Sequence, residues 1–87
     1  MKVGRHRQFR KHFKQRIVSN ISLVKKFDER LRLFLLDSKQ PLLFDHPLFG
    51  SKKTFRTFSV TGDIRVVYRI EGDMIRLYDI GTHNQVY

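Results

Sequence analysis

Apolar residues fall at helical spacing in the first half of the chain and at strand spacing in the second. Phe9, Phe13 and Ile17 recur at i, i+4 and i+8, with Arg7, Arg10, Lys11 and Lys14 between them. That pattern predicts an amphipathic helix over 7–17. Ser19-Asn20 interrupts it and offers N-caps for a second helix over 21–38. Leu23, Phe27, Leu31, Phe34 and Leu35 form the apolar stripe of that helix, and Pro41 closes it. Residues 40–53 read as a loop, and residues 1–5 as an edge strand. Strands are expected near 54–60, 64–70 and 74–80, separated by Thr61-Gly62-Asp63 and Glu71-Gly72-Asp73. The predicted class is α+β in the order βααβββ, with two N-terminal helices packed on one face of a small antiparallel sheet. One domain spans residues 1–87, with no repeat, low-complexity segment or linker.

The pleat sorts the strand residues into two faces. A two-residue Thr61-Gly62 turn would set Phe58 opposite Arg65 and Arg56 opposite Val67. Phe55, Ile64, Val66, Tyr68 and Ile70 would then face the helices. Arg56, Phe58, Asp63, Arg65, Val67 and Arg69 would lie on an open face. A Gly72-Asp73 turn sets Ile70 opposite Ile75 and Tyr68 opposite Leu77, and adds Arg76 and Tyr78 to the open face. A slip of one residue would exchange the faces.

Charge narrows the class of partner. Lys and Arg number 18 against 8 acids, a net charge of +10. Nine of the basic residues precede the first acid, Asp28. Such a surface attracts polyanions by releasing their counterions. The absence of Cys rules out disulfides and thiolate metal sites. No apolar run reaches the roughly 20 residues of a membrane span. The basic N-terminus is not followed by an apolar stretch of signal-peptide type. With 8 Phe and 3 Tyr, the core is expected to be aromatic-rich.

Two clusters then carry chemistry: Asp45-His46-Pro47-Leu48-Phe49-Gly50, and the tail Gly81-Thr82-His83-Asn84-Gln85-Val86-Tyr87. RNA cleavage without a metal needs a base for the 2′-hydroxyl and an acid for the leaving 5′-oxygen. It also needs cations for the charge that grows on the phosphoryl oxygens. Imidazole suits both proton transfers, and the guanidinium fork suits the phosphate. His46 and His83 would flank the open face that carries Arg56 and Arg65. His6 and His12 are assigned no chemistry. Four scattered His without a helical ligand pair give no zinc site.

These clusters, with Phe55-Arg56 and Gly62-Asp63-Ile64-Arg65-Val66-Val67-Tyr68 between them, resemble the YafQ branch of the RelE/ParE toxin superfamily. The resemblance covers the C-terminal half with specific motifs. The N-terminal helices match only in pattern and basicity. It implies the toxin of a type II toxin–antitoxin pair, an mRNA interferase that acts in the ribosomal A site. Such a toxin cuts mRNA without metal or other cofactor and leaves a 2′,3′-cyclic phosphate. The implied partners are an acidic antitoxin and mRNA on the ribosome, not a membrane. The implied location is the prokaryotic cytoplasm, with the free toxin monomeric. By motif, the catalytic set is His46, Asp63, His83, Tyr87 and Arg65. Arg56, Arg65, Arg69 and Arg76 bind substrate. Asp63 would orient a His, and Tyr87 would stack on a base.

One departure stands out. The YafQ pattern places an acid and a His along the first strand of the meander, where this chain has Thr57 and Ser59. Two other functions compete with the nuclease. One is a ParE-like topoisomerase inhibitor, which would not need the His46, His83 and Tyr87 set. The other is a basic RNA- or ribosome-binding module without catalysis.

Overall fold

The computed structural model describes residues 1–52 and 54–87. The chain forms β1 (Lys2–Arg5), α1 (Arg7–Arg16) and α2 (Ile21–Leu36). β2 (His46–Pro47), β3 (Arg56–Ser59), β4 (Ile64–Glu71), β5 (Met74–Thr82) and a closing turn of helix, α3 (His83–Val86), follow. The strands make one sheet in the order β1-β5-β4-β3-β2. Its meander is antiparallel, as expected, but β1 runs parallel to β5 at one edge, so the sheet is mixed. The crossover from β1 to β5 carries both long helices, as a parallel connection requires. The expected loop over 40–53 holds β2, which pairs His46 with Thr57 at the opposite edge. Residue 53 of that loop lies outside the described residues.

Local chemistry starts and stops the helices. The His6 imidazole accepts from the Gln8 N–H at 3.1 Å and caps α1. Asn20 caps α2 through the Leu23 N–H, the role expected of it. Phe9, Ile17, Phe27 and Phe34 carry the buried helical stripes onto Phe58, Val66, Tyr68, Leu77 and Ile80. Phe34 stacks on Phe58 at 4.6 Å and meets Tyr68 edge-on at 4.8 Å. The Arg5 guanidinium lies over the rings of Phe9, Phe13 and Phe27.

The second hairpin has the expected register, Ile70 opposite Ile75 and Tyr68 opposite Leu77. The first does not. Phe58 pairs with Val66 and Arg56 with Tyr68, one residue away from the two-residue turn. The loop runs from Val60 to Asp63 and is held by the Thr61 hydroxyl, which accepts from the N–H of Asp63 and Ile64. Burial decides the register: it places Phe58 and Val60, both fully buried, in the core. Phe55, Arg56 and Phe58 therefore exchange faces. Thr57, Ser59 and Phe55 join Arg65 and Val67 on the side away from the main core, and Arg56 joins Tyr68.

A bulge beside Val67 and Tyr68 makes Tyr78 the extra residue of β5 and sets Val67 opposite Asp79. Past the bulge, Asp79 is the buried anchor of α1. Its carboxylate meets the His12 ring, the Gln8 amide and the Arg16 guanidinium, which also donates to the Ile80 carbonyl at 2.9 Å. His6 and His12 thus fasten helix to sheet. Gly81 sits under this contact. A Cβ there would come within 2.5 Å of Gln85 Oε1 and 2.7 Å of Arg16 Nη1.

Candidate active site

The tail is not a frayed end. Thr82 and Gln85 form a capping box that starts α3. Val86 then inserts beside Leu48, Phe55 and Val67 as a second, smaller core on the face away from the helices. The Lys52 ammonium donates to the Val86 carbonyl at 3.3 Å. This docking brings the two sequence clusters together. His46, Lys52, His83 and Tyr87 line one cleft of about 320 Å³ with Pro47, Leu48 and Phe49. The His83 and Tyr87 rings meet edge-to-face at 4.3 Å. Both side chains are exposed, and His46 is half-buried.

His46 is oriented by its own loop. Its Nδ1 lies 2.6 Å from the Phe44 carbonyl oxygen. A carbonyl only accepts, so Nδ1 carries the proton, and the Nε2 lone pair of the neutral ring has no partner among the described residues. Phe44 presents that oxygen from a left-handed backbone conformation, φ 48°. Such a conformation costs a bulky residue on the order of 1–3 kcal/mol and concentrates at working sites. The adjoining Asp45 ties the loop to the sheet. Its carboxylate accepts from the Tyr68 hydroxyl at 2.6 Å and from Arg56 Nε at 3.3 Å. Burial and the Asp45 carboxylate push the Tyr68 hydroxyl well above the usual phenol range, so Tyr68 remains a donor.

Arg65 reaches the same site from β4. It shares a second hollow with His46 and Ser59, and its Nη1 donates to the Ser59 hydroxyl at 3.3 Å. Its Nε and the Thr57 hydroxyl are buried without hydrogen-bond partners among the described residues. Thr57 and Ser59, the departures from the YafQ pattern, therefore lie under His46 and against Arg65.

The remaining sequence candidates are elsewhere. Arg56 is tied to Asp45 on the helix-covered face, beside a hollow of about 990 Å³ lined by Phe34, Leu36 and Tyr68. The register slip carried it there, away from Arg65. Asp63 is exposed at the hairpin tip, and no hydrogen bond joins it to a His among the described residues. Arg69 and Arg76 do share the open face, but both clamp Glu71, at 2.6 and 2.8 Å. Tyr78 donates to the same carboxylate at 2.6 Å. Those three hydrogen bonds hold Glu71 at about 2, well below its ordinary 4.5. Sequence reasoning missed Lys52. Its signal was a basic pair, Lys52-Lys53, closely following the Asp-His-Pro cluster.

A five-stranded sheet backed by two helices, with a histidine-lined cleft closed by the C-terminal turn, defines a toxin fold of the RelE/ParE type. A YoeB/ParE toxin from Agrobacterium tumefaciens superposes with a TM-score of 0.80 at 19% identity, over 95% of this chain and 99% of that one. A metal-bound toxin from Helicobacter pylori gives 0.76 at 26% identity, over 100% and 99%. YafQ in the Escherichia coli DinJ–YafQ complex gives 0.70 at 25%, over 99% and 97%. None of the curated proteins matches the chain in sequence. The family described as the bacterial toxin of a type II toxin–antitoxin system, YafQ, matches residues 1–87, and the chain belongs to it. Among the described residues, no group of three or more His, Asp or Glu side chains is placed to hold a metal ion. No described helix is long and apolar enough to cross a membrane.

Proposed function

We propose that this toxin is an endoribonuclease that cuts mRNA on the ribosome and leaves a 2′,3′-cyclic phosphate. The observation that supports it most is the convergence of His46, His83, Lys52 and Tyr87 on one cleft. His46 Nε2 takes the proton from the 2′-hydroxyl. The 2′-oxygen attacks phosphorus and the bond to the 5′-oxygen breaks. His83 protonates that leaving oxygen. Lys52 and Arg65 offset the charge on the non-bridging oxygens, and Tyr87 stacks on a flanking base. Asp45, Tyr68 and Arg56 position the loop that aims His46. Asp63 has no step in this scheme. An acidic antitoxin is the neutralising partner, a reading favoured by the net charge of +10 and by the likeness to YafQ in its complex with DinJ.

The test is primer extension on a defined mRNA in a purified translation system. Discrete cuts at occupied codons should vanish in His46→Ala with His83→Ala, while antitoxin binding persists. Cuts that survive would move the chemistry out of the cleft. No cuts from the folded wild type would favour a non-catalytic binder or a topoisomerase inhibitor.

A further inference from the structure

Beside the cleft lies a second hollow, of about 510 Å³, lined by Arg30, Leu42, Phe44, His46, Ser59 and Arg65 among others. That volume suits a small ligand. Two guanidinium groups from different elements converge on it, Arg30 from α2 and Arg65 from β4. Each has a buried Nε–H that no group accepts among the described residues. Arg30 donates from Nη1 to the Leu42 carbonyl at 3.2 Å, which fixes the side chain at the rim. Its nearest carboxylate, Glu29, stands 3.9 Å from Nε, outside hydrogen-bond reach. The acid in the lining, Asp45, is already held by Tyr68 and Arg56. Buried donors are rarely left unpaired, so these two guanidinium groups stand out among the described residues. Forked donors in pairs select phosphate oxygens.

The aromatic content says what carries the phosphate. Phe44 is 69% exposed at the edge of this hollow, on a backbone conformation that bulky residues avoid. An exposed ring beside cations is the surface on which single-stranded bases stack. Among the described residues, His46 alone lines both this hollow and the cleft.

The geometry points to a flanking-nucleotide subsite. Arg30 holds the phosphate next to the scissile one, Arg65 reaches from the scissile phosphate to lie between the two, and Phe44 stacks on the attached base. The inference rests on the nuclease reading in taking RNA as the ligand. It adds Arg30, on a helix outside the cleft, and Phe44 to the substrate-binding surface.

The test uses a 2′-O-methyl tetranucleotide, which binds and cannot be cut, and inorganic phosphate as a separate probe. In ¹⁵N spectra of the wild type, the tetranucleotide should shift the Nε–H signals of both Arg30 and Arg65. Arg30→Gln should weaken its binding about tenfold, because a charged hydrogen bond is lost. The same change should lower the salt slope by about one. Phe44→Asn, which tolerates the left-handed backbone, should weaken binding about fivefold or more. Arg30→Lys, which keeps the charge without the fork, should fall between wild type and Arg30→Gln. A tetranucleotide that binds while the Arg30 signal stays still would overturn the subsite. So would failure of the wild type to bind it. Inorganic phosphate matching the tetranucleotide in affinity would make the hollow a free-anion site and overturn the RNA assignment. The ribosomal cleavage assay is scored separately. Shifted Arg30 signals without cleavage would sink the nuclease and keep the subsite, and cleavage with unmoved Arg30 signals would do the reverse.

Discussion

At one end of the open face, Arg69, Arg76 and Tyr78 surround Glu71, and every charge there has a partner within 3 Å. At the other end, among the described residues, Arg65 holds only the Ser59 hydroxyl and its Nε is unaccepted, and two imidazoles border an open cleft. Both regions are basic and aromatic, and from the sequence they read alike. They differ in whether the side chains are satisfied within the chain. The Glu71 end is a closed network that pins the β4–β5 hairpin. The His46 end leaves the Arg65 Nε and the Thr57 hydroxyl without partners among the described residues.

The sharpest way to break that comparison is to remove the two imidazoles. His46→Ala with His83→Ala should cost on the order of 10⁴-fold in cleavage, since each proton transfer is worth about 10²–10⁴. Melting should hardly move, because His83 is exposed and, among the described residues, the His46 side chain bonds only the Phe44 carbonyl of its own loop. Arg65→Gln should come next, slowing cleavage about 10²-fold or more. Its melting temperature should change little, because the variant gives up one long hydrogen bond to Ser59. A large fall in melting temperature with cleavage intact would make Arg65 structural.

A smaller effect belongs to the anchor between the regions. Tyr68→Phe deletes the hydroxyl that donates to Asp45 and leaves Arg56 as the remaining donor. The expected loss is about 1–2 kcal/mol, read as a fall of about 4–8 °C in melting temperature per kcal/mol. Cleavage should fall severalfold as the His46 loop loosens. Unchanged cleavage would mean that Asp45 does not position His46.

The smallest effect is expected at Glu71, and it depends on pH. Its carboxyl is held at about 2 in the folded chain against an ordinary 4.5. A lowered acid contributes stability above its unfolded value and loses it as pH falls through the folded value. Wild type should therefore lose stability between about pH 4.5 and pH 2, and Glu71→Gln should flatten that part of the curve. The group is solvent-facing, so the change is modest. Equal acid profiles for the two proteins would show that the network stabilises nothing.

Much of the fold was legible in local signals. The stripe of Phe9, Phe13 and Ile17 and the Asn20 cap mark the helices, and the Glu71-Gly72-Asp73 turn fixes one hairpin. The other hairpin was not legible, because its register depends on burying Phe58 against Phe34, a long-range contact. That one-residue error placed Arg56 beside Arg65, whereas the structure sets it on Asp45. The cleft was legible in residue type at His46, His83 and Tyr87, which the structure brings together, with Arg65 in the adjoining hollow. The site was not legible where pairing decides. Arg69 and Arg76 look like phosphate holders until Glu71 and Tyr78 are seen between them, and Asp63 looks like a partner for His until the hairpin tip carries it into solvent. Lys52 becomes a site residue only once α3 docks on Leu48, Phe55 and Val67.

The most direct measurement compares single-turnover cleavage of ribosome-bound mRNA by Arg65→Gln and Arg69→Gln against wild type. The account predicts a loss of about 10²-fold or more for Arg65→Gln and a rate within about twofold of wild type for Arg69→Gln. Equal losses, or a greater loss at Arg69, would contradict the division of the open face into a satisfied network and a working site.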